Sequence, residues 1–393
     1  MNYAIDKAPP HWPRMKVKHL VSLQSGDAIP GELIKDEGAH PVYGGNGLRG
    51  YAAEPNREGD RVLIGRQGAL CGNINYATGQ FWATEHAIVA TPKLDFEVQW
   101  FGETLRVMEL NQYSQSAAQP GIAVEVVGNL TVAVPPLKEQ REIVRQLLGL
   151  FAPLDGLIAT KQHLLELLSE KRRALIAQAV TEGLHSHVPR RDSGIPWLGE
   201  VPAHWEVERS RWLFNERDDR SEFGDEELLT VSHLTGVTSR ADKDVNMFMA
   251  ESLEGYKRCE PGDLVINTLW AWMGAMGTAR QAGIVSPAYN VYQPTDRLDP
   301  DYVDLLVRMP RFVEEVTRYS KGVWSSRLRL YPEGLYEVWF PVPPMDEQKQ
   351  IVAYARVEAR KLDELAAASE STIALLQQRR SALISAAVTG QIA

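Results

Sequence analysis

PPLKEQREIV at residues 135–144 returns as PPMDEQKQIV at residues 343–352, an offset of 208. The same offset relates RRALIAQAVT, which begins at Arg172, to RRSALISAAVT, which begins at Arg379, because Ala174 falls on Ala382. Two matches at one offset across about fifty residues exclude chance, and a repeat of this length fixes the architecture before any local reading. The regions ahead of these matches are related less closely. His11-Trp12 and His204-Trp205 open the two halves at an offset of 193, and GDRVLIGRQGALCG from Gly59 parallels GDLVINTLWAWMGAMG from Gly262 at 203. The drift marks insertions, so the repeat unit is a variable region followed by a preserved one.

Both preserved segments predict long helices. From residue 138 to 183, Ile143, Leu147, Leu150, Leu154, Leu157, Leu164, Leu168 and Leu175 fall three and four apart, the seam spacing of a coiled coil, broken only at Lys161 and Lys171. Unbroken, these positions would span about 70 Å. Pro153 between Gly149 and Gly156 predicts a kink, since proline removes a helix hydrogen bond and crowds the preceding turn. The second copy, from residue 346 to 389, has neither Gly nor Pro inside. Ile351, Ala355, Leu362, Leu365, Leu376 and Leu383 hold its seam, and Glu358, Ser369, Thr372 and Arg379 interrupt it. Matched length and register favour the two helices packing on each other over each packing on its own domain.

The variable regions read as mixed α/β. VLIG at Val62, AIVATP at Ala87, LTVAVP at Leu130, LVIN at Leu264 and YEVWFPVP at Tyr336 are short strands with Gly or Pro punctuation. Residues 95–110 and 301–319 carry helical spacing. HSHVPRRDSGIPWLGEVPAHW from His185 is polar, turn-rich and aperiodic, and predicts a linker. The expected division is 1–137 and 204–345 for two variable domains, 138–184 and 346–393 for two helices, and 185–203 for the linker. The fold class is α/β (α+β), two variable domains with two long helices packed on each other as a coiled coil.

Composition narrows the function. Across 393 residues the net charge is −9, with 44% hydrophobic and 24% charged residues, which excludes disordered and collagen-like chains. The two cysteines, Cys71 and Cys259, lie far apart and cannot supply a four-ligand zinc site; they suit a reducing compartment. No run approaches about 18 apolar residues and the N-terminus lacks an apolar leader, so a cytoplasmic location is expected.

Several motifs invite a catalytic reading and fail it. Gly45-x-Gly47-x-x-Gly50 has the spacing of a dinucleotide loop, which needs a helix to follow, yet YAAEPNREGD comes next. Val134-Pro135-Pro136-Leu137 and Val342-Pro343-Pro344-Met345 lack the polar residue before the prolines and the aromatic after them that an amino-methyltransferase uses on a flipped base. They punctuate a strand-to-helix passage, with Asp346 as an N-cap in the second copy. No phosphate-binding GxxxxGK[ST] loop occurs, His185-x-His187 has no companion ligands, and no carboxylate cluster argues for a nuclease.

What remains is a surface for nucleic acid. Arg308, Arg311, Arg318, Lys321, Arg327 and Arg329 fall within 22 residues, with Tyr319 and Trp324 between them and only Glu314 and Glu315 opposing. Such a stretch offers donors to phosphates and base edges beside aromatic faces. The first half offers Tyr43, Asn46, Arg49, Arg66 and Gln67 in or beside glycine loops, where a backbone can approach a ligand closely. Asn267 and Trp270 stand in the corresponding loop of the second half.

Two variable domains, each closed by a Pro-Pro-x-x-Glu-Gln helix ending in Ala-Val-Thr, resemble the DNA-specificity subunit of type I restriction-modification systems over the whole chain. The segments that carry the likeness are the two Pro-Pro helices with AVTEGL at Ala179 and AVTGQI at Ala387, together with PVYGGNGLRGY, GRQGALCG, INTLWAWMGAMG and IVSPAYNVY. The first helix departs from the pattern in ending Thr-Glu-Gly and in carrying Pro153. The resemblance implies a non-catalytic chain in which each variable domain reads one half of a split site in double-stranded DNA. The helices, packed as an antiparallel coiled coil in a pseudo-twofold repeat, would set the gap between the halves and dock methylation subunits, two per chain, with restriction subunits joining them. S-adenosylmethionine, ATP and Mg would belong to those partners, with no cofactor or metal on this chain. Glu139, Gln140, Leu154, Leu168, Glu347, Gln348, Leu362 and Leu376 are the helix positions expected to serve the spacer or a partner, and Glu358 and Arg379 would face partners. A specificity fragment of a fused restriction-methyltransferase would need a methyltransferase motif elsewhere. A non-DNA coiled-coil scaffold would not need two diverged, glycine-looped domains.

Overall fold

The computed structural model describes residues 7–114, 120–242, 252–322 and 328–391. They form two compact units, one of residues 1–163 with 369–393 and the other of residues 164–368. Each long helix, α4 (Leu137–Glu182) and α8 (Met345–Val388), is divided between the two units. The physical reason lies in which cores the helix ends complete.

In the first unit, β1 (Arg14–Lys16) leads through the short helix α1 (Val17–Leu20) into β2 (Val21–Ser25). An antiparallel sheet runs β2-β9-β6-β7, with β6 at Arg61–Gly65, β7 at Ile74–Ala77 and β9 at Ala87–Pro92. The second sheet runs β4-β3-β8-β5, from β3 (His40–Gly44), β4 (Gly47–Ala52), β5 (Arg57–Glu58) and β8 (Gln80–Ala83), with β3 and β8 parallel. Successive side chains of a strand face opposite ways, so Val62 and Ile64 enter the helix-side core while Leu63 enters a smaller core with Phe81 and Val89. Helix α2 (Val98–Val107) covers the first face with Trp100, Phe101 and Leu105. Full burial of a side chain of that size contributes roughly 1.5–3 kcal/mol. Helix α3 (Val124–Asn129) and β10 (Thr131–Ala133), paired with β1, bring the chain to α4. Ile143, Leu147 and Phe151 of α4 share this core with Ile384, Ala387 and Val388 of α8, so the end of α8 completes the first unit.

The second unit repeats the plan. Strands β11 (Arg190–Asp192) and β12 (Glu200–Pro202) form a hairpin, and β13 (Glu206–Arg209) pairs with β22 (Trp339–Val342). The expected linker is thus built into the unit: Trp197, Leu198 and Val201 are buried in its core, an apolar content masked by its polar, turn-rich surroundings. The central sheet runs β14-β21-β18-β19, from β14 (Phe214–Arg217), β18 (Leu264–Asn267), β19 (Met276–Thr278) and β21 (Tyr289–Pro294). Strands β15 (Leu229–Ser232) with β16 (Gly236–Ser239), and β17 (Lys257–Cys259) with β20 (Gly283–Val285), replace the second sheet. Helices α5 (Pro300–Val307) and α6 (Pro310–Tyr319) split the expected 301–319 helix at Pro310, and α7 (Pro332–Leu335) precedes β22. Ala179 and Val180 at the end of α4 join Ile351 and Val352 at the start of α8 in this core.

Strand pairing corrects one alignment. Val62 pairs with Ala90 and Leu264 with Tyr292, and Leu264 and Ile266 face the helix side as Val62 and Ile64 do. The strands therefore correspond at 202, not 203, since a one-residue slip would turn every side chain to the wrong face.

Within each unit the helices run antiparallel. In the first, Asp155 of α4 meets Arg380 of α8, beyond Leu147 and Phe151; in the second, Arg172 meets Asp363. Helix α4 continues through Pro153 as one helix. The strict heptad seam is corrected as well. Leu150, Leu157 and Leu164 stand 39%, 44% and 36% exposed, while Phe151 is buried and Ile158 and Leu165 are half-buried. A helix of 3.6 residues per turn drifts from a seven-residue repeat, moving the inward position forward by one residue. Leu365, counted on the seam of α8, is likewise exposed, and Ser369, counted off it, is buried. Asp346 lies inside the first turn of α8 instead of capping it. By length and composition α4 is also apolar enough to cross a membrane, with an 18-residue window of mean hydropathy 1.3.

Candidate nucleic-acid interface

Two loops meet at one edge of the first unit because both are rich in glycine. The turn between β3 and β4 contains Gly45, and the loop leaving β6 starts at Gly65. A Cβ on Gly65 would stand 2.3 Å from the Gly45 carbonyl oxygen, a distance no side chain tolerates, so the approach is backbone against backbone. The result is a cleft of about 530 Å³ lined by Gly45, Asn46, Gly47, Leu48, Arg49, Gln67, Gly68 and His86. The Gly45–Gly50 pattern thus forms a hairpin turn, with no helix leaving it.

Of the predicted residues, Asn46, Arg49 and Gln67 line this cleft and are exposed. Arg66 donates from Nη1 to Ser25 Oγ at 3.2 Å, and its backbone receives Ile122 N at 2.9 Å. Tyr43 packs edge-on against Phe81, and burial holds its hydroxyl pKa above the ordinary value. His86 had no sequence signal. It enters through the turn before β9, with Nδ1 3.1 Å from Gln67 Oε1 and Nε2 3.2 Å from Glu85.

The corresponding loop of the second unit leaves β18. Asn267 is buried and its Oδ1 accepts Leu269 N at 3.3 Å, so it shapes the turn. Trp270 is half exposed and stacks on Trp272 at 6.3 Å, with Leu269 and Met273 exposed beside it. Thr268 O receives Leu330 N at 3.0 Å, which ties this loop to a short ladder in which Lys321 and Arg329 exchange backbone bonds at 2.9 Å. The Arg329 guanidinium lies 6.0 Å from the Tyr331 ring centroid, within cation–π reach.

The basic run divides by partner: Arg308 donates to Leu234 O at 2.6 Å and Arg318 to the buried Glu315 carboxylate at 2.8 Å, while Lys321 and Arg329 share the backbone ladder tied to the tryptophan loop. Arg327 and Trp324 lie outside the described residues. Tyr331 joins this surface without a sequence signal, because only folding brings residue 330 beside residue 268, and Leu269 and Trp272 belong to the INTLWAWMGAMG stretch.

The helix residues divide by role. Glu139 accepts the Trp12 indole N–H at 2.9 Å and lies 3.2 Å from His11 Nε2; the Trp12 bond, foremost, holds its carboxyl below the usual range. Glu347 accepts Trp205 N–H at 3.0 Å and lies 2.8 Å from His204 Nε2. Gln140 and Gln348 are buried: the first accepts Glu97 N and donates to Pro135 O, the second accepts Asp299 N and donates to Pro343 O. Leu362 is buried, and Leu154, Leu168 and Leu376 are half-buried. Glu358 receives Lys361 Nζ at 2.5 Å, and Arg379 is exposed. Among the described residues no three His, Cys, Asp or Glu side chains are grouped to hold a metal ion.

Residues 9–167 match the family model described as the type I restriction modification DNA specificity domain. Over 131 residues the chain is 40% identical to the type I restriction enzyme EcoprrI specificity subunit of Escherichia coli, covering 32% of this chain and 33% of that protein. A putative type I restriction enzyme specificity subunit of Haemophilus influenzae, S.HindORF215P, is 22% identical over 328 residues, covering 81% of this chain and 80% of that one. A solved structure described as showing complex assembly and conformational transition of the type I R-M system shares the fold, with a TM-score of 0.66 at 16% identity over 97% of this chain and 98% of that one.

Proposed function

We propose that the chain is a DNA-specificity protein of a type I restriction-modification system and the non-catalytic reader of such a complex. Each unit engages one half of a bipartite site in double-stranded DNA. The observation that carries this reading is the equivalence of the two surfaces: each lies on the loop leaving the same central strand, β6 or β18, of a repeated sheet. In the first unit the cleft offers amide and guanidinium donors, which suit base edges and phosphates. The second offers stacked indoles beside Lys321 and Arg329, apolar contact coupled to phosphate neutralisation.

Methylation subunits, two per chain, would dock along the helices, and restriction subunits would join them in the cytoplasm. S-adenosylmethionine, ATP and Mg would reside on those partners. Exposed leucines support docking: Leu157 and Leu365, and Leu167 and Leu375, are repeat mates at 208, and all four face outward. The test is methylome mapping of a host with and without the gene. A gene-dependent adenine-methylated motif of two half-sites separated by a fixed gap is expected; no dependent motif, or a contiguous one, would overturn the reading.

A further inference from the structure

We propose that Trp12 and Trp205 are register pins that fix the stagger of the two long helices and thereby the spacing between DNA half-sites, an inference that rests on the bipartite reading above. In the first unit the Trp12 N–H bonds Glu139 in the opening turn of α4, while the ring lies against the residue that closes α8: a Cβ on Gly390 would stand 3.1 Å from it. In the second unit the Trp205 N–H bonds Glu347 in the opening turn of α8, and a Cβ on Gly183, just past α4, would stand 3.2 Å from that ring. Each indole therefore touches the start of one helix and the end of the other. Both are buried, at 4% and 1% exposure. The pairing persists although His-Trp repeats at 193 and the Glu at 208, so it has survived the insertions between them.

Stagger needs such a device because apolar seams are non-directional. A slip of one helical turn is about 5.4 Å, more than the roughly 3.4 Å rise of one base pair, so it would change the gap a reader spans. An N–H bond to a carboxylate is directional and charge-assisted: it fixes the indole on the start of one helix, and the ring so held abuts the end of the other and resists that slip. The ion pairs along the seam are partly exposed and resist it less.

Trp12→Phe, Trp205→Phe and the double variant keep a ring and remove the N–H. Each full-length chain is expressed with its methylation partners, and the methylome of the host is read. The same half-sites should now be methylated at gaps one base pair longer or shorter, with discrimination against those gaps falling about tenfold in the double variant. Glu139→Gln, which retains an acceptor, should stay near the native pattern. Methylation confined to the native gap in the double variant overturns the inference. Loss of methylation at every gap in all variants overturns it too, because the indoles would then be core contacts alone. A wild-type motif that is contiguous defeats the bipartite reading itself, and the pins with it.

Discussion

Arg380 Nε lies 3.3 Å from the Asp155 carboxylate, and the repeat places Arg172 Nε 3.5 Å from Asp363, the same pair advanced by 208 at the aspartate and returned by 208 at the arginine. The copies differ in one respect: the Arg380 guanidinium also lies 4.2 Å from the Phe151 ring centroid. Exposed ion pairs contribute at most about 1 kcal/mol, and a partly desolvated cation–π contact adds a similar amount. Arg380→Ala should therefore lower stability by about 1–2 kcal/mol and Arg172→Ala by less than about 1 kcal/mol. Urea denaturation of the full chain measures both, and equal losses would contradict the role given to Phe151.

Glycine substitutions should act in opposite directions. Gly65→Ala places a methyl 2.3 Å from the Gly45 carbonyl and should cost roughly 2–3 kcal/mol while opening the cleft. Gly156, in α4, has nothing within 4 Å of a built Cβ, so Gly156→Ala should raise stability by about 0.5–1 kcal/mol through helix propensity. Thermal melts of the two variants would expose an error in either assignment.

Arg318 and Arg329 should separate cleanly in DNA binding. Arg329→Ala should weaken binding across sequences and reduce the slope of log affinity against log salt by about 1, as loss of one phosphate contact does. Arg318→Ala should leave that slope unchanged and instead destabilise the unit by about 1–3 kcal/mol, because it strands the buried Glu315 carboxylate. Salt-titrated gel shifts of the assembled complex distinguish them; a changed slope for Arg318→Ala would count against the division.

Cys259 should resist alkylation in the native chain. Burial, with Asp263 and Glu260 nearby, pushes its thiol up to about 12, so the reactive thiolate is scarce at pH 8. Iodoacetamide followed by mass spectrometry should show no labelling until denaturant is added, whereas prompt native labelling would place the thiol at the surface.

Trp270→Ala should reduce affinity for the second half-site by about 1–3 kcal/mol if its face stacks or packs on bases. The first half-site should be unaffected in competition with duplexes altered at one half only. Equal loss at both halves would assign Trp270 to folding.

The helices, the repeat and the candidate loops were legible in sequence because each has a local signature. PPLKEQREIV and its copy mark the helix starts, the leucine period marks the faces, and glycine clusters mark close backbone approach. For the basic run at 308–329, a linear cluster of arginines does not reveal that Arg308 and Arg318 answer Leu234 O and Glu315. His86 and Tyr331 carry no motif and reach their sites through the folded chain.

Sequence by itself determined a two-copy chain with two long helices, because an exact offset and a sustained period are properties of order along the chain. Tertiary structure alone decided that each helix is shared between units, that Phe151 replaces Leu150 on the buried face, and that Trp197, Leu198 and Val201 between the units' repeats enter a core. Those outcomes depend on helical phase accumulated over many turns and on which distant apolar surfaces complete a core. Glu139 and Trp12 show the difference most directly: 127 residues apart in sequence, they meet at 2.9 Å because the strand pairing of β1 with β10 returns the chain to its beginning.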